Sequence, residues 1–134
     1  MATEFVEQLQ QAYDRLNAGV SGDDLLEVLR QGCHDDLVVE MGVLEGTFHG
    51  PEGFKEFIEG QRAIIDDLRA EPEEFIEAGD RMIVPFRLSG RARNMHVPVE
   101  YHYVHVWTVR DGKASHLRLY ADKEKAFRDA GVSG

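Results

Sequence analysis

Apolar positions recur at helical spacing three times along the chain and then at alternating spacing through its second half. Between Thr3 and Asn17, the residues Phe5, Val6, Leu9, Ala12, Tyr13 and Leu16 fall on one stripe, which predicts an amphipathic helix. Asn17-Ala18-Gly19 supplies its stop. Ser21-Gly22-Asp23-Asp24 has the spacing of a capping box, opening a second helix that carries Leu25, Leu26, Val28 and Leu29 and ends near Gly32. Leu37 to Met41 reads as a short strand, apolar on both faces apart from Glu40, and Gly46 to Gly50 returns beside it. Pro51 stands where a third helix starts, since its missing N–H costs nothing there. The apolar stripe of that helix runs through Phe54, Phe57, Ile58, Ile64, Ile65 and Leu68. Gln61 interrupts it, either as a polar residue at the stripe's edge or as a hydrogen-bonding group aimed into a cavity.

After Arg69 the texture becomes β. Phe75 and Ile76 lead into the turn Ala78-Gly79-Asp80, and Met82-Ile83-Val84 continues towards Leu88. Pro85 cannot donate to a ladder and so marks a bulge or an edge. A polar turn, Arg91 to His96, precedes two long strands between Val97 and Asp122, joined at Arg110-Asp111-Gly112. A two-residue Asp-Gly loop would set His105 opposite Arg118. A three-residue loop with a bulge at Gly112 would set Trp107 near Ser115 and His105 near Leu117. The second separates the faces better, and it is the register expected here. Tyr101, Tyr103, His105, Trp107, Leu117, Leu119 and Ala121 then share one face, and His102, Val104, Val106, Thr108, His116, Arg118 and Tyr120 share the other. Asp122 can cap a last short helix through Phe127, ended by Gly131. The order of elements predicts one α+β domain over residues 1–134, an antiparallel sheet wrapped over helices.

Composition narrows the partners. At 134 residues the chain is one domain in size. Twenty-five acidic against 15 basic side chains give a formal charge of −10, which repels phosphate backbones and anionic lipid, so neither nucleic acid nor membrane is expected. The single Cys33 excludes an intrachain disulfide and fits a reducing, cytoplasmic setting. Val104, Val106 and Tyr120 on the outer sheet face would otherwise be exposed, which predicts a homodimer through that face.

The broad aromatic and aliphatic face with one ionisable group at its centre, His105, has the character of a ligand-pocket wall. Tyr13, Gln61, Tyr101, Tyr103, Trp107, Leu117 and Leu119 are the expected wall residues, and His105 with Glu40 the candidates for acid–base chemistry. A neutral His105 is expected, because apolar surroundings solvate an imidazolium badly. Metal binding is not expected: His102 and His105 point to opposite faces, and His34, His49 and His96 sit on separate loops. Cys33 beside His34 reads as a small buried hydrophobe, and Arg87, Arg91 and Arg93 as a solvated rim. No phosphate loop or dinucleotide fingerprint is present, so no cofactor is expected.

Four segments carry a family resemblance: Tyr13 to Gly19, Asp35 to Glu40, Phe48 to Gly53, and His105 to Lys113. In their order and spacing the chain resembles the SnoaL-like branch of the NTF2-like, ketosteroid-isomerase-like superfamily over essentially its whole length. The resemblance implies a cone: a curved sheet closed over three helices with a pocket at the wide end, commonly in a homodimer. Of the isomerase pattern, the helix-one tyrosine falls at Ala12, beside Tyr13, the base aspartate at Met41, beside Glu40, and the hydrogen-bond-donating aspartate at His105. The last-strand aspartate that serves as base in the cyclases falls at Leu119. Two functions stay open: a cofactor-free isomerase- or cyclase-like enzyme acting on a small apolar or aromatic molecule, and a non-catalytic module that binds such a ligand or dimerises.

Overall fold

The computed structural model describes residues 2–41 and 46–131. Helix α1 (Ala2–Asn17) buries Phe5, Leu9 and Tyr13 from its predicted stripe, and α2 (Gly22–Gly32) buries Leu25 and Leu29. Ser21 stands at the N-cap of α2, but its side chain makes no capping bond, so the expected capping box does not form. Strand β1 (Cys33–Met41) follows, paired antiparallel with the short β2 (Thr47–His49). Pro51 sits in the first turn of α3 (Gly50–Ile64), which buries Phe54 and Ile58.

The helix stops earlier than its stripe suggests. Ile65 to Pro72 form strand β3, paired antiparallel with β5 (Arg81–Ala92). The switch occurs where two β-branched residues, Ile64 and Ile65, meet. Arg93 donates its N–H to the Ile64 carbonyl at 3.0 Å, the first bond of the β3–β5 side. A bulge between Asp66 and Arg69 carries Asp67 at φ 55°. Opposite it, a Cβ on Gly90 would lie 2.7 Å from the Asp66 carbonyl and would clash with Ile65 Cγ2, so the close approach of β3 to β5 requires glycine.

Strand β4 (Ile76–Ala78) also pairs with β5, and β5 pairs along its whole length with β6 (Val97–Arg110). Pro85 is therefore central rather than at an edge. It falls where the second neighbour of β5 changes from β4, whose pairing reaches Ile83, to β3, whose pairing begins at Phe86. Its carbonyl accepts from Glu73 at 2.8 Å on that side, and its missing N–H faces the gap where no ladder is due.

The β6–β7 hairpin (β7, Lys113–Tyr120) corrects the expected loop. Arg110 pairs with Lys113, so the loop is two residues, Asp111 and Gly112, both with positive φ (53° and 78°), as a type I′ turn demands. A bulge at Ser115 then adds one residue to β7, giving Trp107↔Leu117 and His105↔Leu119. The expected faces survive because the bulge restores the parity that the shorter loop removes. The individual partners lie two residues further on.

The sheet order is β2-β1-β7-β6-β5-β3, with β4 beside β5. It is mixed rather than antiparallel, because β1 runs parallel to β7. The architecture is α+β, a curved seven-stranded sheet with α1 to α3 on its inner face. On the outer face α4 (Lys123–Asp129) is capped by Asp122, which accepts from the N–H of Glu124 and Lys125. The helix covers Val104, Val106 and Tyr120 with Ala126 and Phe127, and the Tyr120 hydroxyl donates to Asp129 at 3.0 Å. Those three residues are buried within the chain and offer no exposed apolar surface for the expected homodimer.

Candidate functional site

Between the inner sheet face and the three helices lies a cavity of about 100 Å³, lined mostly by apolar side chains. Helix α1 supplies Phe5, Leu9 and Tyr13, and α3 supplies Phe54, Phe57 and Gln61. The sheet supplies Phe86, Tyr103, His105, Trp107 and Leu119. A more open depression adjoins it at the end of α1, sharing Leu16, Asn17, Arg62 and Leu68.

His105 is at the centre. Its Nδ1 lies 2.7 Å from the Tyr13 hydroxyl, and its ring stacks on Phe86 with centroids 4.0 Å apart. Trp107 meets it edge-on at 5.7 Å. Burial pulls the His105 pKa down from 6.5 to about 3, so the ring is neutral at physiological pH, as expected. Burial likewise raises the Tyr13 phenol well above its usual 10, keeping it protonated. The Trp107 indole N–H acts the other way on that phenol, though it falls short of hydrogen-bond geometry and has no partner. A protonated phenol both donates and accepts, so it can serve either neutral tautomer of the imidazole.

Two polar side chains brace the cavity mouth. Asn17 bonds the Ala70 backbone in both directions, at 2.9 Å and 2.8 Å, tying the end of α1 to β3. Arg62 donates to the carbonyls of Val20 and Leu16 at 2.7 Å and 3.0 Å, answering the orphan acceptors and negative dipole at that helix end. Among the described residues no aspartate or glutamate lines the cavity, despite the acidic character of the chain.

Of the residues expected from sequence, Tyr13, Gln61, Tyr103, His105, Trp107 and Leu119 line the cavity. Gln61 thus stands on the cavity wall rather than at a solvated edge. Leu117 does not reach it and is 1% exposed in the core. Tyr101 shares the face but lies beyond the helices, 43% exposed, stacked on Tyr103 at 5.6 Å. Glu40, the second candidate for acid–base chemistry, stands away from the cavity. Leu37 and Val39 of β1 are buried inward, so alternation turns Glu40 to the outer face, where it lies 3.1 Å from His116 Nε2 and 3.7 Å from Arg118 Nη1. Cys33 lines the cavity, and burial pushes its thiol up to about 12, making it an inert wall group.

Sequence reasoning missed Phe86, which forms the plate under His105. Its signal was hidden by Pro85. Once β5 is accepted as pairing through the proline, Phe86 lies opposite Tyr103 and must share its face.

Comparison with known proteins places these features. The family model for the SnoaL-like domain matches residues 9–117. Among solved structures, that of TerC co-crystallised with polyporic acid is 28% identical, with 95% of this chain and 97% of that one covered and a TM-score of 0.72. A protein described as a SnoaL-like polyketide cyclase, from Jannaschia sp. CCS1, is 19% identical over 98% and 94% of the two chains, with a TM-score of 0.76. A protein with a ketosteroid-isomerase-like fold from Catenulispora acidiphila DSM 44928, in complex with trimethylamine, is 14% identical over 92% of each chain, with a TM-score of 0.71. No curated protein matches the chain.

Proposed function

Because the chain belongs to the SnoaL-like domain family, whose fold hosts unrelated activities, we propose its function from the cavity itself. The cavity binds a small apolar or aromatic molecule, and His105, oriented by Tyr13, carries isomerase- or cyclase-like acid–base chemistry on it without a cofactor. The observation that supports this is the 2.7 Å bond between Tyr13 and His105 Nδ1 at the centre of an apolar enclosure. With Nδ1 held by the phenol, Nε2 is the nitrogen left for a ligand. When Nδ1 carries the proton and donates to Tyr13, Nε2 is a free base. When Tyr13 donates to Nδ1, Nε2–H is an acid. A proton taken from one carbon or oxygen of the ligand and returned to another closes the balance with no other reactant. The low pKa makes His105 a weak base, so the reaction it suits starts from an already acidic C–H or O–H. That TerC, at 28% identity, was co-crystallised with polyporic acid agrees with a ligand site in this fold.

The second reading is binding without turnover. It draws on the lining of the cavity, where among the described residues no carboxylate stands beside His105 as a second acid–base partner. Native mass spectrometry of the purified protein, followed by incubation with the ligand it reveals, separates the two. In the first reading the wild type converts the ligand, and His105→Gln loses roughly 10²-fold or more in rate while its affinity stays within a few-fold. A ligand held but never converted supports the second. A His105→Gln protein with full turnover would exclude the first, and a protein with no affinity for any small molecule would exclude both.

A further inference from the structure

The chain has one tryptophan, Trp107. It is 6% exposed and lines the cavity, yet its indole Nε1 has no hydrogen-bond partner among the described residues. Indole N–H is a donor only, and native interiors seldom leave a buried donor unpaired without a functional reason. Three other polar groups nearby are spoken for. Asn17 is taken by the Ala70 backbone, Arg62 by the Leu16 and Val20 carbonyls, and His105 Nδ1 by Tyr13. On the cavity wall the Trp107 N–H is therefore a donor still without an acceptor, and His105 and Gln61 line the same space. A neutral imidazole that accepts at Nδ1 adds a second N–H. Among the described residues no carboxylate lines the space to pair with a cation, so an ammonium there would exchange its hydration for aromatic faces alone, with no counter-charge.

We propose that Trp107 is the specificity-determining contact of the cavity, its indole N–H donating to an oxygen of the bound molecule. The site then selects ring compounds bearing a carbonyl or phenolic oxygen over the bare hydrocarbon and over amines. This rests on the reading of the cavity as a ligand site and names the feature that a ligand must carry.

Three probes on one bicyclic frame test it: tetralin, 1-tetralone and 2-aminotetralin, titrated into ¹⁵N-labelled protein. With a single tryptophan, the spectrum holds one indole N–H cross-peak, which reports the bond directly. The expected result is that 1-tetralone saturates with a downfield move of that indole proton. Tetralin shifts cavity amides without the downfield move, and 2-aminotetralin at neutral pH shifts nothing. Trp107→Phe keeps the apolar ring and removes the donor. It should weaken 1-tetralone by about tenfold and tetralin by no more than about twofold. An indole proton that stays in place while cavity amides saturate with 1-tetralone overturns the proposal. So does an equal loss for both probes in the Phe variant, or an amine bound as tightly as the ketone. If no probe shifts any cavity amide, the ligand-site reading itself falls, an outcome separate from the others.

Discussion

Between pH 7 and pH 4 the wild-type protein should lose on the order of 3 kcal/mol more stability than its His105→Gln variant. The unfolded chain titrates this imidazole at the ordinary 6.5, and the folded chain at about 3. Between those values the unfolded state binds a proton that the folded state refuses, so stability rises with pH through the window and falls as the solution is acidified. Above 6.5 both states are neutral and the group contributes nothing to the slope. Each pH unit inside the window is worth about 1.36 kcal/mol, and 2.5 units separate 6.5 from pH 4. Carboxylates titrate in both proteins and cancel in the difference. The glutamine can still bond the Tyr13 hydroxyl, so the comparison isolates the titration rather than the hydrogen bond. Urea unfolding of both proteins at pH 7, 6, 5 and 4 measures it. Parallel stability curves would show that His105 is hydrated in the folded state and that the enclosure around it is not dry.

Replacing Leu117 by alanine should cost about 3 kcal/mol of stability while leaving 1-tetralone affinity within about twofold. Leu117 is 1% exposed, with Val39 of β1 on one side and Trp107 of β6 on the other, so truncation opens a void in the core. Leu119, two residues on, lines the cavity. The same truncation there should change ligand affinity as well. Denaturant midpoints paired with probe titrations decide the matter. A Leu117→Ala protein of wild-type stability would mean that the helices do not close over that end of the sheet.

The contrast between these two leucines shows what was legible in advance. Alternation assigns a side chain to a face but says nothing about its depth along the strand, and depth is set by where the helices end. Tyr101 failed for the same reason at the open end. Glu40 failed because Leu37 to Met41 is apolar at both parities, so the local pattern could not say which face turned inward. The neighbours decide it, and the parallel pairing of β1 with β7 leaves no trace in local periodicity. Strand β3 was hidden by apolar residues that continue the helical stripe of α3 past its end. The covering of Val104 and Val106 was hidden because α4, though visible as a capped helix, carries no signal of where it docks. By contrast, the position of His105 on the cavity wall followed from a single parity argument, and even an incorrect turn length did not disturb it.

The parallel β1–β7 contact also joins strands from opposite ends of the chain. Strands β5, β6 and β7 are joined by short turns and can pair as soon as they exist, since closing a short loop costs little entropy. Strand β1 has only the three-residue β2 beside it until β7 arrives some eighty positions later. During synthesis, α1, α2 and β1 emerge first and must wait, their apolar stripes without the sheet that will cover them. Tyr13 and His105 stand 92 residues apart in the chain and come together only when the two halves dock. Helix α1 closes the cavity at the same moment as it delivers the phenol. Until those halves dock, the ring nitrogen is in water.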